Sequence, residues 1–280
     1  MQKKYRVSID RITIVGETSR RLQLSEVNDL LGSGVELKNK KFVYDRQNVN
    51  SDGELLKENG FIVEETHGKW RIDFNPNKAG NIEKDKIKRF VSELSKVHLS
   101  RVDIAFDVFN NPLGMKYRLY RKNVSELQIE TFKGRSQNIE TIYWGSRKSL
   151  EQVRLYNKLI EQKKNDVIVS PEITDWVRLE LQLRGKTISE WVNRAYKMLD
   201  DLLLPNYSKL NLRDKADLYA IVGGLIEWGE LDKRRRRQLR EIAFDGFDKG
   251  LSEELKIVLS EHTKDLELEL DGYLKEYKIV

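Results

Sequence analysis

The chain has 280 residues, with 51 lysines and arginines against 45 aspartates and glutamates, and its net charge of +6 suits a nucleic-acid partner without demanding one. It has no cysteine, which excludes disulfides, thiolate zinc sites and cysteine nucleophiles; its three histidines, His67, His98 and His262, make no paired-histidine motif. A bound metal would then be held by carboxylates, which favours Mg²⁺ or Mn²⁺ over zinc.

The length allows a substantial core without crosslinks. No run approaches the roughly 18 consecutive apolar residues needed to span a bilayer. The basic start is followed by no apolar signal core, so a cytoplasmic protein with no membrane partner is expected.

Apolar residues alternate over residues 5–15 (Val7, Ile9, Ile12, Ile14), predicting a strand with one irregular step. Ser25 is placed to cap a short helix ending at Leu31, before Gly32-Ser33-Gly34. Residues 35–44 and 60–74 read as strands, the second folding back at His67-Gly68. Asn81 then caps a helix whose apolar stripe is Ile87, Phe90, Val91, Leu94 and Val97.

Residues 99–109 form a strand, 131–144 a hairpin around Gly134-Arg135-Ser136, and 152–158 and 175–184 two more strands. After Gly185 the spacing turns helical over 188–204, 212–228, 230–244 and 251–277, with breaks at Gly223-Gly224 and 245–250. The fold class is α+β: a mostly antiparallel central sheet with flanking helices over 1–186, followed by a helical region over 187–280. Ser8-Ile9-Asp10 echoes Arg101-Val102-Asp103, each opening a strand, which points to two related half-domains.

Three strands carry polar residues at every second position, and therefore on one face. They are Arg101, Asp103 and Asp107; Arg154, Tyr156 and Lys158; and Arg178, Glu180, Gln182 and Arg184. Such a face can be simply the solvated side of an antiparallel sheet. If the strands are neighbours, it gathers carboxylates able to bind a hard cation and a tyrosine flanked by cations. A tyrosine has a pKa near 10 and attacks at neutral pH only when its phenolate is stabilised, by a metal or by charges such as Arg154 and Lys158. The product with a phosphodiester would be a covalent phosphotyrosine.

These residues also carry a resemblance. Thr141-Ile142-Tyr143-Trp144-Gly145-Ser146-Arg147-Lys148-Ser149 followed by Val153-Arg154-Leu155-Tyr156-Asn157-Lys158 resembles the replication initiation factor (Rep-trans) family, plasmid rolling-circle initiators of Gram-positive bacteria. The segments 101–107 and 176–183 match further family signatures in the same order. The resemblance implies an origin-specific DNA nicking and closing enzyme that leaves a 5′-phosphotyrosine and a 3′-OH primer. It puts the nucleophile on Tyr156, with Tyr143 as the rival, and metal ligands among Asp103, Asp107 and Glu180. Arg154, Lys158 and Arg178 become phosphate contacts. It also implies plasmid origin DNA as substrate, a homodimer, and a host helicase of the UvrD/Rep kind. A relaxase of a mobile element would share the chemistry, and a non-catalytic DNA-binding protein would use the basic residues alone.

Two basic segments complete the candidates. Arg147 and Lys148 lie in a small, hydroxyl-rich turn able to hold a phosphate, or in an ordinary loop. Lys233, Arg234, Arg235, Arg236, Arg237 and Arg240 lie on one helix. Five consecutive cations surround a helix rather than stripe it, so they contact DNA phosphates or form a solvated charged surface.

Overall fold

The computed structural model describes residues 4–18, 22–32, 35–38, 41–49, 55–120, 129–133, 139–222 and 225–279. At its centre β1 (Tyr5–Glu17) pairs antiparallel with β6 (Ser95–Phe109). Beyond β1 follow β5 (Lys69–Phe74), β4 (Leu55–Thr66), β3 (Lys41–Val49) and β2 (Val35–Lys38). Beyond β6 follow β11 (Trp176–Arg184), β10 (Glu151–Asn157), β9 (Ile139–Trp144) and β8 (Ile129–Lys133). Every pairing in this ten-stranded sheet is antiparallel.

The order has a local two-fold logic. In each half the first strand lies at the centre, its last strand lies next to it, and the others follow in descending order. β1 thus matches β6 and β5 matches β11, in agreement with the two half-domains expected from the Ser8-Ile9-Asp10 echo. A second, two-stranded sheet joins β7 (Arg118–Leu119) to β12 (Leu202–Leu203).

One sheet face is apolar because its strands alternate. Ile12, Ile14, Ile72, Val102, Ile104 and Leu181 are among its fully buried side chains. α1 (Leu24–Leu31), α2 (Asn81–Ser92), α4 (Trp191–Asp200) and α7 (Gly250–Glu276) supply the rest of that core. The apolar side chains of α7 seal the face along β1, and Tyr277 just beyond it meets Phe74 edge-on at 5.9 Å. α5 (Leu212–Val222) and α6 (Lys233–Gly246) pack around a separate cluster of Tyr120, Leu203, Leu218, Ile221, Trp228, Leu239 and Phe247.

Several local expectations differ. Residues 35–44 form not one strand but a tight hairpin of β2 and β3. The caps of α1 and α2 are Gln23 and Gly80, one or two residues before Ser25 and Asn81. In each case a first-turn glutamate, Glu26 or Glu83, accepts the cap's backbone N–H, a use that Ser25 cannot serve from inside the helix. α2 ends at Ser92, so Leu94 and Val97 leave its stripe, and Val97 belongs to β6. The reversal at His67-Gly68 is as expected, with both residues at positive φ (53° and 77°) as a two-residue hairpin turn requires. The turns at Gly134-Arg135-Ser136, Ser33-Gly34 and Gly223-Gly224 lie outside the described residues.

Candidate active site

The opposite face of the sheet is polar, and the strand register sets its side chains in rows. Arg6, Asp107, Arg178 and Tyr156 align across β1, β6, β11 and β10. The next row runs Ala105, Glu180, Arg154 and Tyr143 across β6, β11, β10 and β9. Then come Arg11, Asp103, Gln182 and Gln152, and finally Thr13, Arg101 and Arg184. All three polar strands expected from the sequence are therefore neighbours.

This face is not a solvated one. Asp103, Asp107, Arg178, Glu180 and Tyr156 are buried, and burial on that scale requires paired charges.

Asp107 is the most saturated carboxylate. Trp176 Nε1 (2.7 Å) and Arg178 Nε (2.6 Å) donate to its Oδ1, and Arg178 Nη2 (2.9 Å) and Arg6 Nη2 (2.6 Å) donate to Oδ2. Burial alone would raise its pKa, but the charges and hydrogen bonds of Arg178, with Arg6, hold it below the usual range. Arg178 spends its remaining Nη1 on Asp10 Oδ1 at 2.6 Å. Asp10 sits in the β1 bulge between Ile9 and Arg11 and also accepts from Asn75 Nδ2. Arg178, expected as a phosphate contact, is thus an internal clamp joining the two halves of the sheet.

Tyr156 Oη donates to Glu180 Oε1 at 2.5 Å. Arg154 holds Glu180 Oε2 through both Nε and Nη2, and its guanidinium lies 4.7 Å from the Tyr156 ring centre. Burial, then the Glu180 charge, push the Tyr156 hydroxyl far above its ordinary pKa. Burial opposes the ionised form of Glu180 as well, but Arg154 and Arg178 outweigh it and keep the carboxylate charged. Arg154 retains a third of its side-chain surface in solvent.

Lys158 is not on the strand. It opens α3 (Lys158–Lys164), where Asn157 caps the first turn through Ile160 N–H, and it ion-pairs with Glu161. Its ammonium remains 5.6 Å from the Tyr156 ring. α3 forms one wall of an open cleft of about 290 Å³ lined by Tyr143, Arg154, Tyr156, Asn157, Glu161 and Lys164. Tyr143 is only half-buried there, the more accessible of the two tyrosines.

Asp103 is clamped by Arg101, with Nε donating to Oδ1 at 2.6 Å. Burial outweighs this clamp, and the neighbouring Glu180 charge adds to it, so the Asp103 pKa is raised to about 6. Asp103, Asp107 and Glu180 each face arginines rather than one another. Among the described residues no group of three His, Asp or Glu side chains could hold a metal ion. As arranged, with each carboxylate engaged by arginine, this donor set does not fit Mg²⁺ or Mn²⁺.

The basic segments divide. Arg147 and Lys148 are exposed in the turn after β9. Arg235 is buried and ion-paired to Asp214 and Asp217 of α5, so it does not share the DNA role expected of the run. Lys233, Arg234 and Arg237 are exposed on α6, and Arg236 and Arg240 are half-exposed, Arg240 lying 5.0 Å from the Trp228 ring centre. No helix among the described residues is long and apolar enough to cross a membrane.

Sequence reasoning missed Arg6 and Asp10 as members of the site. The echo between Asp10 and Asp103 was the signal for Asp10.

Comparison with known proteins points to one family. Residues 97–228 match the family model described as replication initiation factor. A replication initiation protein of Staphylococcus aureus is 30% identical over 211 residues, 74% of this chain and 65% of that protein, so the match spans just under two thirds of the relative's length. Another from the same organism is 26% identical over 284 residues, covering 97% of this chain and 86% of that one. A solved structure of a rolling circle replication initiator protein from Geobacillus stearothermophilus aligns over 76% of this chain and 91% of its own, at 14% identity and a TM-score of 0.38.

Proposed function

We propose, from the match of residues 97–228 to the replication initiation factor model and the similarity to replication initiation proteins, that the chain initiates rolling-circle replication of a plasmid by nicking one strand at the origin with Tyr156. The observation that carries this reading is the Tyr156–Glu180–Arg154 chain of contacts on a buried, arginine-rich face. Tyr156 Oη attacks the scissile phosphorus, the bond from phosphorus to the 3′ oxygen breaks, and a 5′-phosphotyrosine forms. The tyrosine proton passes to Glu180 and the leaving oxygen is protonated to a 3′-OH. Rejoining is the same chemistry reversed.

Glu180 is a weak base while Arg154 neutralises it, and Tyr156 holds its proton tightly. A phosphate entering the cleft competes for Arg154, the most solvent-exposed member of the chain of contacts. Losing Arg154 raises the proton affinity of Glu180, so substrate itself would prepare the base. Arginine charge then neutralises the phosphorane-like transition state.

Tyr143 is a second reading of the nucleophile, favoured by its greater exposure on the same cleft. The helical region 187–280, through Lys233, Arg234, Arg236, Arg237 and Arg240, with Arg147 and Lys148, would hold origin DNA by its phosphates. A homodimer and a host helicase of the UvrD/Rep kind complete this reading.

The test is nicking of supercoiled DNA carrying the origin by wild type, Tyr156→Phe and Tyr143→Phe, each with Mg²⁺, Mn²⁺ or chelator. Open circles with protein on the 5′ end, lost only in Tyr156→Phe, are expected. Loss only in Tyr143→Phe moves the nucleophile, and no nicking under any condition overturns the enzyme. The chelator arm decides whether a metal is needed.

A further inference from the structure

Three buried polar atoms on the polar face make no hydrogen bond among the described residues: Thr13 Oγ1, Gln182 Nε2 and Arg184 Nε. The register brings them together. Thr13 pairs with Arg101 and Arg101 with Arg184, while Gln182 lies in the adjacent row, facing Asp103. Two of the three atoms are obligate donors, and leaving a buried donor unmatched costs about 1–3 kcal/mol.

Around Arg184 the neighbouring cations outweigh the carboxylates of Asp103 and Asp73. Arg101 gives its bonds to Asp103, and Arg71 gives its to Asp73. Among the described residues no carboxylate forms an ion pair with Arg184. Burial, then repulsion from Arg101 and Arg71, lowers its pKa, the opposite of what an ion-paired arginine experiences. Its backbone N–H bonds to Leu150 O at 2.9 Å, which fixes this corner of the sheet beside the basic turn that carries Arg147 and Lys148.

We propose that Arg184, with Gln182 and Arg101, forms a second phosphate subsite for the DNA strand whose scissile phosphate lies at Tyr156. Tyr156 faces Arg178 in the register, and the six residue steps from Arg178 to Arg184 span roughly 20 Å of strand. The polar face is therefore a track: one end cuts, and the other holds the sugar-phosphate backbone several nucleotides away. Such a contact reads no sequence and sets the position of the strand on the enzyme.

This inference rests on the nicking reading for its second anchor point, and its test involves no cleavage. Labelled oligothymidylates of about 4 to 16 nucleotides are titrated against wild type, Arg184→Gln, Arg184→Lys and Gln182→Met across a salt series. Wild type is expected to gain affinity once the oligonucleotide is long enough to reach both ends of the track. Arg184→Gln abolishes that gain, leaves the shortest oligonucleotides unaffected, and lowers the salt slope by about 0.7, one single-strand phosphate. Arg184→Lys keeps the slope, and Gln182→Met loses part of the gain, which covers the case of an Arg184→Gln protein that does not fold. A wild type with no length dependence, or variants with its length dependence and slope unchanged, overturns the subsite. Intact origin nicking beside such a flat series would sink the subsite alone, whereas a length-dependent series without nicking would sink only the nicking reading.

Discussion

At Asp103 the carboxyl loses more by burial than Arg101 returns, and its pKa is raised to about 6. An unfolded aspartate titrates near 4, so the folded protein binds a proton that the unfolded chain has released between these values. The contribution to stability is fully present below about pH 4 and is lost as pH rises through about 6. Asp103→Asn cannot titrate. The stability of wild type relative to Asp103→Asn is therefore expected to fall by about 2 kcal/mol between pH 4 and pH 7. Urea unfolding of both proteins across that range checks it, and a gap independent of pH would refute the assignment. Asp107 and Glu180 have the opposite sign: arginines depress their pKa values, and their stabilisation is present above the unfolded carboxylate range and lost in acid. Comparing one variant with wild type cancels that background. Tyr156 follows Asp103 in sign but far outside this window, since its raised pKa matters only above about pH 10.

The elements that position these residues were legible in proportion to how regular they are. β6 and β11 alternate without interruption through the site, so Asp103, Asp107, Arg178 and Glu180 fell on one face from the sequence alone. β1 does not alternate cleanly, because the bulge at Ile9–Arg11 inserts Asp10, and a period-two reading skips what a bulge adds. Lys158 continued the alternation of β10 yet begins a helix: the Asn157 cap ends the strand where the side-chain pattern shows no break. Buried pairing was invisible for a further reason. A polar face exposed to water and one sealed by ion pairs have the same sequence pattern, and only the ion pairs that the fold assembles across β1, β6, β11 and β10 tell them apart. Glycine requirements show the same dependence on context. Gly145 and Gly68 both have positive φ (86° and 77°), but a Cβ on Gly145 would lie 2.8 Å from Glu151 O, while one on Gly68 meets nothing within 4 Å. Gly68→Ala is expected to cost about 1 kcal/mol in backbone strain alone, and Gly145→Ala about 3 kcal/mol from strain and collision together. Paired thermal melts measure the difference; equal losses would mean that the β9–β10 turn is looser than its contacts with Ser149 and Gln152 imply.

On the scale of the whole molecule, cations serve two ends that net charge cannot separate. Those on the sheet face are largely spent on carboxylates and hold the two halves together, as Arg178 does by joining Asp10 of β1 to Asp107 of β6. On α6 the division runs through a single run of five. Arg235 binds Asp214 and Asp217 and fastens α6 to α5, while Arg234 and Arg236 have no ion-pair partner among the described residues. Removing one partner of a buried pair leaves charges stranded, whereas removing an exposed cation changes little but the field around it. Arg235→Gln is therefore expected to destabilise the α5–α6 unit by about 3 kcal/mol, reported by earlier loss of Trp228 fluorescence in denaturant. The double variant Arg234→Gln, Arg236→Gln should stay within about 0.5 kcal/mol of wild type in stability. Its affinity for duplex DNA should fall, with a salt slope shallower by about two if both side chains meet phosphates. The two outcomes must separate for the division to hold. An Arg235→Gln protein that melts like wild type, or a double variant whose duplex binding and salt slope are unchanged, would show that the run acts as an undivided charged surface and that its buried member carries no structural load.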